Sequence, residues 1–154
     1  SEFVTISAWV KYAGTGSSSL QGIATNNSTS GSRRDFHVSS GALVFVQKNN
    51  SYGRVDTSTA NGPDEGVWTH VIATSATVGS DTISKIYKNG IEVGSNTYSG
   101  VTMASGLNDD CFIGYLNSSR YFNGKIATAM IWSAALTAKE IKDIYIAQKG
   151  RFGK

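Results

Sequence analysis

Cysteine and proline each occur once in these 154 residues, and charged side chains make up only 16% of them. A lone cysteine, Cys111, excludes an intrachain disulfide, so the fold must be held by packing. It heads an apolar run, where it reads as a small core hydrophobe. A catalytic thiol would need a paired base, and only His37 and His70 are available. No apolar run approaches the ~20 residues that a membrane-spanning helix needs. The first residues, Ser1-Glu2-Phe3, carry no basic-then-apolar leader; any signal segment is expected to be absent or removed.

Charge of one sign is also missing over most of the chain. From Lys139 to Lys154 five Lys/Arg stand against Glu140 and Asp143, while the other 138 residues carry nine of each sign. The net charge of +3 therefore belongs to the last helix and tail, where cations suit the negative end of a helix dipole. A nucleic-acid-binding face on the body of the domain is not expected.

What is present is short apolar runs separated by Gly, Ser, Thr and Asn, the signature of a β-rich domain with many turns. Glu2 to Lys11 alternates Val4, Ile6, Ala8 and Val10 with Phe3, Thr5, Ser7 and Trp9. Both faces are partly apolar, which predicts an interior strand. Further strands are predicted at Leu20–Thr25, Arg33–Ser39, Ala42–Lys48, Tyr52–Ser58, Val67–Ser75, Ile83–Asn89, Ile91–Tyr98, Cys111–Tyr115 and Phe122–Trp132. Asn89-Gly90 predicts a two-residue type I′ hairpin turn, because both residues tolerate positive φ. Thr137-Ala138-Lys139-Glu140 reads as a capping box that opens a helix, with Gly150 as its terminator. The expected fold is all-β, a two-sheet antiparallel sandwich with one C-terminal helix, forming a single domain over residues 1–154.

The ordered series TISAWV (Thr5–Val10), VWTHVIAT (Val67–Thr74), KIYKNGIEVGS (Lys85–Ser95) and FIGYLNSSRYFNGKIATAMIWSAALTAKEI (Phe112–Ile141) resembles the laminin-G-like, concanavalin A-like jelly-roll family. The ending through Lys149–Gly153 is similar to modules of phage and other virion structural proteins. Family domains usually carry a further strand before the first of these motifs. The resemblance thus implies a domain excised from a longer protein, or a missing pairing supplied by another chain, with self-association as the expected consequence.

A glycosidase of this fold would need two carboxylates flanking a sugar bond, and no E-x-D-x-x-E strand pattern exists. No G-x-S-x-G context supports a Ser/His/acid triad. His70 lies mid-strand beside Trp68 and is read as structural. His37 follows Arg33-Arg34-Asp35, read as the solvent face of a strand bearing an Arg–Asp pair. Trp9, Trp68 and Trp132 lie inside strand patterns and are read as core anchors. An enzyme is not expected.

By analogy with the family, the expected function is non-catalytic carbohydrate recognition on a virion or extracellular surface. The alternative is a structural assembly domain that contacts other protein chains. Sugar binding wants an aromatic platform beside hydrogen-bonding side chains. Two segments offer it: Asn50, Tyr52 and Arg54, and Asn117, Arg120 and Tyr121. No cofactor is required, although the resemblance makes Ca²⁺ at a rim loop an option, with Asp109 and Asp110 as the candidate ligands.

Overall fold

The computed structural model describes residues 4–27, 33–48, 52–56, 61–101 and 110–154. Ten strands occur among them: β1 (Val4–Tyr12), β2 (Leu20–Asn27), β3 (Arg33–Ser39), β4 (Ala42–Lys48), β5 (Tyr52–Asp56), β6 (Trp68–Val78), β7 (Asp81–Lys88), β8 (Ile91–Tyr98), β9 (Cys111–Ile113) and β10 (Gly124–Trp132). One helix, α1 (Ala138–Lys149), follows and tightens into a 3-10 turn at Gly150–Phe152. The strands form two five-stranded antiparallel sheets, ordered β10-β1-β6-β7-β8 and β5-β4-β3-β2-β9. This is the two-sheet sandwich that the turn-rich pattern predicts.

β1 shows why the alternation is legible. Val4, Ile6, Ala8 and Val10 face the opposite sheet and join the core with Phe36, Val38, Leu43, Phe45, Val71 and Ile86. Thr5, Ser7 and Trp9 face outward yet are also buried, because α1 and the chain leading into it cover that side. A strand covered on both faces needs apolar or hydrogen-bonded residues at every position, and β1 has them. The β7–β8 turn holds Asn89 at φ 51° and Gly90 at φ 79°, as its two residues predict. The Asn89 side chain also accepts the His70 backbone N–H at 3.0 Å, tying the turn to β6. Inside the sandwich the Gln47 amide donates to Ser84 Oγ at 3.0 Å, joining β4 of one sheet to β7 of the other.

α1 begins with the predicted capping box: Thr137 accepts from the Glu140 N–H, and the Glu140 carboxylate accepts from the Thr137 N–H. Its buried residue Ile141 packs on Ile72 and Tyr87 of the first sheet, beside Leu136. Tyr145 and Phe152 stack on Trp9, with ring centroids 5.9 and 4.2 Å away. Gly150 is the C-cap at which α1 ends, as predicted, but the chain continues from it into the 3-10 turn. It stays right-handed helical, and Gly153, at φ 70°, provides the left-handed stop.

Three expectations about burial are corrected. Cys111 is exposed, since β9 is a three-residue edge strand that, among the described residues, pairs with β2 alone. Trp132 ends the edge strand β10 and is half-buried, and Trp68 is half-buried at the mouth of β6. The ring of Phe152 lies 5.0 Å from that of Trp68. Only Trp9 is a fully buried tryptophan.

Candidate functional site on the second sheet

The strand register gathers polar side chains onto the outer face of the second sheet. Phe36 and Val38 of β3 point into the core, so Arg33, Asp35 and His37 share the opposite face. One cross-strand row runs Arg54, Val46, Asp35, Thr25, Phe112, and an adjacent row places Tyr52, Lys48 and Arg33 in line. The register therefore puts the backbone positions of Tyr52 and Arg54 on this same face. Asn50 lies outside the described residues.

The segment after β9 folds back over this face. Tyr115 and Tyr121 bridge, the Leu116 N–H donates to the Arg120 carbonyl at 3.0 Å, and the Arg120 N–H donates to the Asn117 carbonyl at 2.9 Å. The Arg120 guanidinium donates to Asn117 Oδ1 at 2.9 Å. Ser118 and Ser119 both carry positive φ, 46° and 66°, a strained pairing for residues with side chains that the surrounding hydrogen bonds hold in place. Thr25 Oγ1 donates to the Tyr115 carbonyl at 2.7 Å, anchoring the loop on β2. The approach is possible because residue 22 is glycine: a Cβ there would sit 2.4 Å from the Tyr115 carbonyl carbon and oxygen.

Between loop and sheet lies a pocket of about 130 Å³, lined by Leu20, Arg33, Asp35, His37, Val46, Leu116, Asn117 and Arg120. Asp35 is only 1% exposed and His37 6%, so the expectation of a solvent-facing strand is overturned; the folded-back loop accounts for it. Arg33 Nε lies 3.0 Å from Asp35 Oδ2, confirming the predicted pair. The contact is close but misaligned, and neither carboxylate oxygen accepts a hydrogen bond among the described residues. Burial pushes the Asp35 carboxyl up to about 6, with Arg33 opposing the shift. Beside the pocket stands an aromatic cluster: Phe112 and Tyr115 are 5.5 Å apart, Tyr115 and Tyr121 5.3 Å, and Tyr121 is 63% exposed.

Asn117 and Arg120 are thus brought together on the pocket wall, Tyr121 joins Tyr115 in the aromatic cluster and is not part of the pocket lining, and the register sets the backbone positions of Tyr52 and Arg54 on the same sheet face. Missed in the sequence were Asp35, Phe112 and Tyr115. The alternation Arg33-x-Asp35-x-His37 on one strand face was the available signal. Of the calcium candidates, Asp109 lies outside the described residues and Asp110 is exposed. Among the described residues no three His, Cys, Asp or Glu side chains converge. None of the described helices is long and apolar enough to cross a membrane.

The other conspicuous polar pair is Ser7 Oγ and His70 Nε2, 2.9 Å apart. Both are buried, the His70 ring lies against those of Trp9 and Tyr145, and burial pulls the imidazole down to about 4. Sealed from solvent, the pair is structural.

Two antiparallel sheets, a terminal helix on one outer face and a loop-walled pocket on the other describe a jelly-roll sandwich of the lectin-like class. The family model of the concanavalin A-like lectin/glucanases superfamily matches residues 1–142, and the chain belongs to that family. No curated protein sequence matches it. Among solved structures it is similar to domain 4 of AbnA, an extracellular GH43 arabinanase from Geobacillus stearothermophilus, in complex with arabinotriose. The TM-score is 0.72 at 20% identity, over 94% of this chain and 66% of that one. It is also similar to a CBM40 of the Ruminococcus gnavus IT-sialidase bound to α2,3-sialyllactose, with TM-score 0.66, 12% identity and coverages of 93% and 82%. The receptor-binding domain of botulinum neurotoxin D gives TM-score 0.71 at 18% identity over 96% of this chain, which spans only 38% of that one. At these identities the likeness establishes the fold.

Proposed function

We propose that the domain is a non-catalytic carbohydrate-recognition module that binds through the outer face of its second sheet. The observation that carries this reading is the exposed Tyr121 ring of the aromatic cluster, next in the chain to Arg120, which with Asn117 walls the pocket on the same loop. Aromatic faces stack on the apolar faces of sugars, while neighbouring polar groups hydrogen-bond their hydroxyls. The solved relatives named above as sugar complexes support the same reading by analogy. Glycoside hydrolysis needs two carboxyl groups across the bond, and the described pocket lining supplies one, Asp35. Display on an extracellular or virion surface follows from a recognition role and forms part of the proposal.

A glycan array, run with and without EDTA, tests the reading. Sugar binding lost on substituting Tyr121→Ala and Arg120→Ala, at unchanged melting temperature, supports it. An array with no glycan bound refutes it. The EDTA arm reports whether calcium takes part.

A second reading, assembly through protein contacts, is favoured by the rim that carries the edge strands β9 and β10. Ile113 and Ile131 are 48% and 51% exposed on the edge strands β9 and β10. A cleft of about 230 Å³ between the sheets opens there, lined in part by Val4, Ile6, Ala24 and Cys111. A concentration-dependent mass in analytical ultracentrifugation, abolished by Ile131→Lys, would support this reading.

A further inference from the structure

Positive charge gathers at one corner of the molecule, drawn from three distant parts of the sequence. Val10 and Tyr12 of β1 point into the core, and Ile126 of β10 packs against it. Lys11 and Lys125 therefore face the outer side of the first sheet. The register sets these two lysines directly opposite one another, and sets Trp68 of β6 opposite Lys11 on the other side. Like charges so placed on neighbouring strands weaken the pairing. Phe152, stacked on Trp9 and 5.0 Å from the ring of Trp68, holds the end of the chain over the same corner. Lys149, Arg151 and Lys154 arrive with it, and the Lys154 N–H donates to the Lys149 carbonyl at 3.1 Å.

No carboxylate among the described residues neutralises these cations. The ion pairs there engage Arg33, Lys85, Lys88 and Lys139 instead. Glu65 bridges to Tyr12 through its main chain, but its carboxylate lies beside Gly14. Lys125, Arg151 and Lys154 are exposed, while Lys11 and Lys149 are half-buried. Beside them lie the half-buried rings of Trp68 and Phe152.

We propose that this corner is a docking surface for an acidic polypeptide segment of another chain. Its carboxylates meet Lys11, Lys125, Lys149, Arg151 and Lys154, and its apolar side chains rest on Trp68 and Phe152. An aromatic centre with a charged rim is the anatomy of a protein–protein contact. Opposed charges across such a rim speed encounter and fix register. Other polyanions fit less well. A sulfated glycan has no apolar side chain to set on the rings. Nucleic-acid strands stack bases on free ring faces, whereas Phe152 gives one face to Trp9 and lies tilted against Trp68. An anionic bilayer gains from apolar side chains that insert, and rings packed into the fold do not. The surface lies on the helix side of the sandwich, so it stands or falls separately from the glycan reading.

The probe is a fluorescein-labelled peptide of Glu and Asp carrying two leucines, titrated by fluorescence anisotropy at low and high salt. Oligothymidylate, a heparin fragment and phosphatidylglycerol vesicles are titrated beside it. The variants are Lys125→Glu/Arg151→Glu, its milder form Lys125→Gln/Arg151→Gln, and Lys139→Glu/Lys142→Glu. The last changes the net charge as much as the first, but at the other end of α1. The wild type is expected to bind the peptide, less tightly as salt rises and less tightly when serine replaces leucine. The reversed pair loses at least about tenfold in affinity, the milder pair loses less, and the distant pair keeps the wild-type Kd. If the reversed pair does not fold, the milder pair decides. No peptide binding, an equal loss in the distant pair, no loss at Lys125 and Arg151, or tighter binding of any other polyanion overturns the proposal.

Discussion

The indole N–H of Trp9, the last residue of β1's buried outer row, donates to Gln148 Oε1 at 2.7 Å across 139 residues of sequence. Phe152 lies parallel to the same indole at a centroid distance of 4.2 Å. The last turn of the chain is thus fastened to one of the first strands. Replacing Phe152 by Ala removes a half-buried ring and an aromatic pair, with an expected loss of roughly 1.5–3 kcal/mol. Opening the cover also brings water to Trp9, so its fluorescence shifts to the red in the folded state. An unshifted emission with unchanged melting would contradict the packing described.

His70 predicts an acid limit to stability. Its folded-state pKa is pulled from 6.5 down to about 4 by burial. The unfolded chain binds the proton first, so stability is full above about 6.5 and declines as pH falls towards about 4. The loss is on the order of 3 kcal/mol at the bottom of that window. Denaturant melts along the pH scale should show this slope in the wild type and lose most of it in His70→Gln.

Asp35 works in the other direction. Its folded pKa is raised from 3.8 to about 6, so the folded state holds the proton more tightly. Between these values acid relieves the burial penalty, and the destabilisation is full above about pH 6. Asp35→Asn is therefore expected to melt higher than the wild type near neutral pH and to lose that advantage in acid. Equal melting temperatures at neutral pH would show that the Arg33 contact already offsets the burial.

Gly22→Ala tests the seat of the pocket loop. The added methyl would collide with the Tyr115 main chain, costing about 1–3 kcal/mol through displacement of the backbone. Amide shift changes should concentrate at Tyr115–Arg120, with the first sheet unaffected. Glycan binding should fall with them.

Much of this molecule is legible in one dimension. β1, β3 and β7 to β8 are read from alternation and from Asn89-Gly90, and the helix start from Thr137 and Glu140, because those signals are local. Burial on the outer face of the second sheet is not local. Asp35 looks like a surface acid until the Leu116–Arg120 loop, some eighty residues away, is laid over it. Cys111 and Trp132 fail for the complementary reason: an apolar strand pattern does not say that the strand lies at an edge. The two candidate sugar segments were read separately, and only the register through Val46 and Asp35 shows that they share a face.

The placement of α1 also bears on valency. By covering the outer face of the first sheet, the helix leaves the sandwich one broad face for an extended ligand. On the proposed glycan reading each copy would then be monovalent towards a glycan-coated surface, and a single weak contact would dissociate readily. Firm attachment would then come from repetition, with several copies engaging neighbouring sugars, a gain that reaches roughly 10²–10⁴ when the spacing permits simultaneous contact.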